Sequence, residues 1–217
     1  MSVDAARAKR GGAALGCKRA FDFVSSLLGL VLLAPLFLIV GIVIKLDSPG
    51  PVFFRQTRVG RYGSMFRICK FRTMCTVQRE GSPQITVAGD SRITRAGEYL
   101  RKYKLDELPQ LFNVLCGEMS LVGPRPEVPK YVALYPPDSR DIVLSVRPGI
   151  TDLAAIEFLD ETALLAQAAD PELYYVERVM PLKLELYLRY VREWSLMHDI
   201  QLIFKTLAKL AGPTKAV

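Results

Sequence analysis

Two adjacent carboxylates, Asp106 and Glu107, are the side chains of this 217-residue chain best suited to chemistry on a phosphorus atom. Neighbouring positions at a helix start point about 100° apart, which suits two separate tasks better than one shared proton. One carboxylate can attack phosphorus while the other holds a divalent cation that neutralises phosphate oxygens. The free amides of a helix start also favour an ionised carboxylate and help to bind phosphate. The competing reading is structural: Asp106 as an ordinary N-cap and Glu107 in the first turn. Cations crowd the same stretch. Lys70 and Arg72 fall on a predicted strand, Arg101 on the helix before the pair, and Arg125 between two prolines in Gly123-Pro-Arg-Pro126. Proline on each side restricts the backbone and presents Arg125 from a stiff loop, a theme repeated in Arg147-Pro-Gly-Ile-Thr151. Guanidinium forks grip phosphate in two-pronged fashion, whereas lysine acts as a point charge.

Other chemistries lack their residues. There is no phosphate-binding G-x-x-x-x-G-K-[ST] loop, no G-x-G-x-x-G and no G-x-S-x-G. The single histidine, His198, lies in an amphipathic stretch and reads as structural or interfacial. Cys17, Cys69, Cys75 and Cys116 form no C-x-x-C pair, so they read as reduced thiols rather than as a zinc site or disulfide framework.

The elements that must position these residues follow from the pattern. Val52–Gln56 and Met65–Met74, around a glycine-containing turn, predict a β-hairpin. Thr76–Arg92 is polar and reads as a surface loop. Thr94 is placed to cap a helix running to about Tyr103, and Asp106 to cap a second, with Pro109 in its first turn and Gly117 closing it. Leu182–Trp194 and Ser195–Ala211 are amphipathic, either packed on a core or lying in a membrane interface.

Phe23–Ile44 carries no charge and is long enough to enter a bilayer as a helix. It is too long for the apolar core of a secretory signal and is followed by a poor cleavage site. Pro35 removes a hydrogen bond near its middle. Arg7, Lys9, Arg10, Lys18 and Arg19 precede it, and Lys45, Arg55, Arg58 and Arg61 follow it. A helix that enters, breaks at Pro35 and returns would put both positive flanks on the cytoplasmic side; a single-pass anchor with a tolerated Pro kink fits charge and proline about equally well. Net charge is +7, which calls for an acidic partner: nucleic acid, anionic lipid or a phosphate-rich substrate.

These motifs together resemble the bacterial sugar transferases, the monotopic polyprenyl-phosphate phosphoglycosyl transferases. The matching stretches are Lys18-Arg-Ala-Phe-Asp22, the Pro35 segment, Phe54-Arg-Gln-Thr-Arg58, Lys70-Phe-Arg-Thr-Met74, Leu105 to Val114, Met119 to Pro126 and Arg147 to Thr151, within residues 17 to 211. The resemblance implies Asp106 as nucleophile and Glu107 as ligand of Mg²⁺. Asp106 would attack the sugar-bearing phosphorus of a UDP-sugar and release UMP. Undecaprenyl phosphate, or another polyprenyl phosphate, would then take the phosphosugar. Lys70, Arg101 and Arg125 are carried over as phosphate- and nucleotide-binding groups, and Arg58, Arg72 and Arg147 are candidates for the same work. The resemblance also favours the re-entrant helix. Two departures stand out: Ala34 replaces the usual serine before the proline, and Asp152–Phe158 replaces the usual continuation after Thr151, so donor identity is not carried over.

The expected fold is α+β and mostly helical. Its parts are a basic tail (1–17), a re-entrant membrane helix broken at Pro35 (18–47), and a catalytic unit on the cytoplasmic face of the bacterial inner membrane (48–217). That unit would hold a small hairpin, catalytic helices and C-terminal interfacial helices. The chain reads as the minimal form, without the extra spans of larger relatives. Expected partners are the UDP-sugar, the lipid acceptor, membrane lipid and downstream glycosyltransferases, and no nucleic acid. The rival is a non-catalytic, membrane-anchored basic module that binds lipid or scaffolds other enzymes. It accounts for the anchor and the charge but not for Asp106-Glu107 beside so many framed cations.

Overall fold

The structure, a computed structural model, describes residues 11–75, 89–157 and 161–211. Helix α1 (Gly12–Asp47) is the longest element and is apolar enough to enter a bilayer. Pro35 lies inside this helix.

One face of α1 is fastened to the rest of the chain along its length. Near its start, Arg19 donates to the carbonyls of Val114 and Leu115 at 2.6 and 2.9 Å. Lys18 donates to Val122 O at 3.1 Å and pairs with Asp199. Asp22, buried, accepts from the Leu121 amide at 3.1 Å. Midway, Phe37 meets Phe71 edge-on, with ring centroids 5.2 Å apart. At its end, Arg72 donates to the carbonyls of Ser48 and Pro49 at 2.6 and 2.7 Å and to Ile44 O at 3.3 Å. The Ser48 and Pro49 carbonyls lie past the helix end, where no helical amide reaches them, while Ile44 O also accepts the Ser48 amide at 3.2 Å. The opposite face exposes Phe23, Leu28, Val31, Leu32, Leu38 and Leu46.

After the Ser48–Pro51 breaker, β1 (Phe53–Val59) and β2 (Met65–Phe71) pair antiparallel from Phe53↔Phe71 to Val59↔Met65, as the sequence predicts. Residues 76–88 of the predicted surface loop lie outside the described residues. Helix α2 (Arg95–Lys102) begins where expected, with Thr94 Oγ1 accepting the Gly97 amide at 3.0 Å. It lies so close to β2 that a Cβ on Gly97 would stand 2.2 Å from the Thr73 carbonyl oxygen. A 3₁₀ turn, Leu105–Glu107, leads to α3 (Gln110–Cys116), which Gly117 closes at φ +84°.

A second, parallel pair was not foreseen. Strands β3 (Ser120–Val122) and β4 (Gly149–Thr151) are too short to carry an alternation signal, and they bring Gly123 against the backbone of Arg147 and Gly149. Between them run α4 (Pro129–Val132) and α5 (Pro137–Val143). Then come α6 (Leu153–Glu157), α7 (Glu161–Ala166), α8 (Pro171–Tyr174), one π-helical segment (Tyr175–Val179), α9 (Met180–Glu193) and α10 (Leu196–Ala211).

Helix α9 resolves the choice left open for Leu182–Trp194 toward core packing. Lys183, Leu184, Tyr187, Tyr190 and Val191 are all buried, the tyrosines among the most enclosed side chains of the molecule. Helix α10 buries Leu202 while leaving Met197, Phe204 and Leu207 exposed.

Gly97→Ala should lower stability by about 3 kcal/mol, because a methyl against the Thr73 backbone cannot be relieved by rotating a side chain. The shift in thermal midpoint against wild type checks it.

Candidate active site

The 3₁₀ turn that carries the two carboxylates is set up by Lys104, which takes a left-handed conformation at φ +54°. Asp106 therefore lies inside that turn and does not cap a helix, and α3 begins only at Gln110. The expected support from a helix start is replaced by side-chain cations brought in from three other elements.

Glu107 is the hub. Lys70 from β2 donates to Oε1 at 2.7 Å. Arg125, from the loop after β3, forks onto the same carboxylate, with Nη2 on Oε1 and Nη1 on Oε2 at 3.2 Å. Burial alone would raise the Glu107 carboxyl, but the Arg125 and Lys70 charges outweigh it and hold it well below the usual carboxylate range. The same pairing raises the Arg125 guanidinium well above its ordinary value.

Asp106, only 8% exposed, is in a different state. Its Oδ1 is buried without a hydrogen-bond partner. Burial pushes its carboxyl up and Glu107 adds to that, against the opposing charges of Lys70, Arg101 and Lys104. An ionised oxygen with no donor on it is poorly stabilised and correspondingly reactive toward an electrophile or a cation. Arg101 from α2 stands close enough for its charge to be felt at Asp106, and Thr73 Oγ1 orients it, accepting from Nε at 2.8 Å.

Arg58 lies behind this group. It donates to Pro126 O at 3.0 Å and to Gln56 Oε1 at 2.7 Å, and stands 3.7 Å from Glu127. Glu127 is buried, pairs with Lys183 at 3.4 Å and accepts the Tyr175 hydroxyl. Pattern reading missed Glu127, Lys183 and Tyr175. The only local signal is an acid directly after the rigid Pro-Arg-Pro, since Lys183 sits inside an amphipathic stripe and meets Glu127 only through tertiary packing.

Lys70, Arg101, Arg125 and, one layer back, Arg58 thus gather around Asp106-Glu107. Two other candidates do not. Arg72, 3% exposed, directs its donors to carbonyls at the end of α1, so the structure puts it to a fastening use and not to substrate contact. Arg147 donates from Nε to Gly117 O at 2.7 Å, at the far end of α3 from the carboxylates. His198 packs near Tyr190, away from the site.

For a divalent cation the donor set is small: among the described residues no group of three or more His, Cys, Asp or Glu gathers. The unpartnered Asp106 oxygen and Glu107 fit a magnesium ion that takes most of its ligands from bound phosphate, which is how Mg²⁺ commonly sits in phosphoryl-transfer sites. Beside the site, an open apolar groove of about 660 Å³ runs between α1 and the start of β1. Leu30, Ala34, Phe37, Leu38 and Phe112 line it, and Lys45 stands at its edge.

Residues 13–212 match the family described as bacterial sugar transferase. Curated relatives include a UDP-N-acetylgalactosamine-undecaprenyl-phosphate N-acetylgalactosaminephosphotransferase of Aeromonas hydrophila, 39% identical over 88% of this chain and 42% of its own length. A UDP-glucose:undecaprenyl-phosphate glucose-1-phosphate transferase of Caulobacter vibrioides is 39% identical over 89% of this chain and 69% of its own. An exopolysaccharide production protein of Rhizobium leguminosarum bv. phaseoli is 40% identical over 88% and 92%. The chain therefore spans less than half of the Aeromonas relative and nearly all of the Rhizobium one.

Arg125→Ala and Glu107→Gln should each destabilise the protein, by about 3 kcal/mol for the loss of Arg125. The double variant should cost less than the sum, with a coupling of about 1–3 kcal/mol, read from denaturant unfolding of all four proteins.

Proposed function

Since the chain belongs to the bacterial sugar transferase family, we propose that it moves a sugar 1-phosphate from a UDP-sugar to undecaprenyl phosphate, in the initiating step of an extracellular or surface glycan. The observation that carries this reading is the division of labour between two adjacent carboxylates. Glu107 takes three hydrogen bonds from Lys70 and Arg125, only one of them on Oε2, and Asp106 keeps a buried oxygen with none.

In the proposed reaction Asp106 Oδ attacks the sugar-bearing phosphorus of the donor. The bond from that phosphorus to the bridging oxygen breaks, and UMP leaves with the electron pair. An acyl phosphate then joins the sugar to the enzyme. An oxygen of the lipid phosphate attacks the same phosphorus, restoring the Asp106 carboxylate and giving a lipid-linked diphosphosugar. Lys70, Arg101 and Arg125 hold phosphate oxygens and balance the charge that builds up, which is most of what phosphoryl transfer asks of a protein. Mg²⁺, held by Glu107 with the donor's phosphate oxygens, would add charge neutralisation. Arg58 keeps the Pro126 backbone, and so Arg125, in place.

The apolar groove beside α1 suits the isoprenoid chain of the acceptor, with Lys45 near its phosphate. Both ends of α1 are fastened to the same catalytic unit. That supports a helix that dips into the cytoplasmic leaflet and leaves by the same side, with the exposed apolar residues of α10 resting in the interface. The relatives' names differ in the sugar, so the proposal extends to a UDP-sugar and not to one donor.

Asp106→Asn should abolish UMP release, with a loss of at least about 10³-fold, while membrane insertion is retained. UMP release by the wild type should stop on chelation and return with added Mg²⁺. Full turnover by the Asn variant, or failure to trap a sugar-phosphate adduct on Asp106 during turnover, would sink the covalent route. Single cysteines introduced at Ala8 and Leu46 should both resist an impermeant thiol reagent applied outside intact cells.

A further inference from the structure

A second cluster of cations lies at the other end of α3 from the carboxylates. Arg19 of α1 spans the carbonyls of Val114 and Leu115. Arg147 holds Gly117 O. Arg61, in the turn between β1 and β2, donates from Nε to Ser145 O at 3.0 Å, two residues before Arg147. Shared anchor points draw the three together: a Cβ on Gly117 would stand 3.3 Å from Arg19 Nη2, on the residue whose carbonyl Arg147 holds. Burial first, and then the charges of Arg61 and Arg19, depress the Arg147 guanidinium.

None of the three forms an ion pair among the described residues. The nearest carboxylate, Asp22, is turned to the Leu121 amide. Among the described residues, both terminal nitrogens of Arg147 are without an acceptor, and Arg61 gives one of its own only to the Tyr62 hydroxyl. Like charges held together at a half-buried place, with donors to spare, call for an anion.

The place is also specific. Arg19 lies over the ring of Phe23, 5.9 Å from its centroid, and Phe23, Val24, Leu27 and Leu28 open the exposed apolar face of α1. On the other side Tyr62, 61% exposed, stacks under Arg61 at 4.5 Å. An aromatic ring beside cations, directly above an apolar face, is the arrangement found at the headgroup level of a bilayer.

We propose that Arg19, Arg61 and Arg147 form a binding site for the phosphate of an anionic phospholipid headgroup, separate from the site at Asp106. A headgroup there fastens the start of α1 and the β1–β2 turn to the same leaflet, so the site sets how the catalytic unit sits on the membrane.

The test titrates the detergent-purified full chain with short-chain phosphatidylglycerol, phosphatidylcholine of the same chain length, and glycerol phosphate, reading bound lipid by native mass spectrometry. Phosphatidylglycerol should bind best, and Arg61→Gln/Arg147→Gln should weaken it about thirtyfold. Arg61→Gln alone, at a half-buried turn position, should cost about fivefold with the thermal midpoint unchanged, which separates lost binding from lost folding. Arg178→Gln/Arg192→Gln, an equal loss of charge at two exposed positions, should leave binding within about twofold. Equal affinity for the two lipids, or wild-type affinity in the Arg61/Arg147 variants, overturns the proposal. Glycerol phosphate binding as tightly as the lipid overturns the lipid source, and competition by UDP-glucose would return Arg147 to the donor site.

Discussion

The ion cluster at Glu107 is the constraint on which the rest of the site depends. A carboxylate with low exposure to water is costly unless it is paired, and here one lysine and one bidentate arginine give it three charge-assisted hydrogen bonds. Those partners come from β2 and from the loop after β3. A single side chain thereby decides how the hairpin, the 3₁₀ turn and the Pro-Arg-Pro loop sit relative to one another. Asp106 is the beneficiary. With its neighbour absorbing the nearest donors, it remains a buried carboxylate with an oxygen unsatisfied, a state that a folding chain would ordinarily avoid.

Behind this cluster lies a second layer of the same kind. Glu127, Lys183, Tyr175 and Arg58 form a buried network that surrounds the base of the Arg125 loop. Asp152, fully enclosed, adds its charge to Arg125 from the other side, and its Oδ1 accepts the Ala155 amide. Networks like this contribute little net stability but penalise every arrangement in which a member loses its partner. That is useful where a guanidinium must be held to a fixed position. Helix α9 supplies Lys183 from its core-facing side, and so becomes part of the support for the site instead of an interfacial element.

Helix α1 is an apolar element that is fastened to the rest of the chain by polar groups near both ends. Lys18, Arg19 and Asp22 at one end, and the carbonyls capped by Arg72 at the other, are bound to the rest of the chain, while Phe23 to Val43 expose an apolar face between them. The fastening ties both ends of the helix to the same unit.

Some of this was legible in the residues. Alternating apolar runs around Gly60 and Gly63 marked the hairpin, Thr94 marked the start of α2 and Gly117 the end of α3, because caps and turns are written in three or four consecutive residues. The Asp-Glu pair, the arginine framed by prolines and the uncharged segment likewise pointed to phosphate chemistry beside lipid, and the family match bears out the resemblance those motifs carried. Tertiary structure alone decided which cations serve that pair. Arg72 and Lys70 stand two apart in the predicted strand, where alternation would put them on one face, yet β2 ends at Phe71, so Lys70 reaches Glu107 while Arg72, beyond the strand, turns to α1. It also decided that Asp106 sits in a 3₁₀ turn, that two three-residue strands pair across an intervening stretch of helices, and that Glu127 meets Lys183. Local pattern records what a residue asks of its neighbours in sequence. Which distant group answers a buried charge is settled only when the core closes and removes water as the alternative partner.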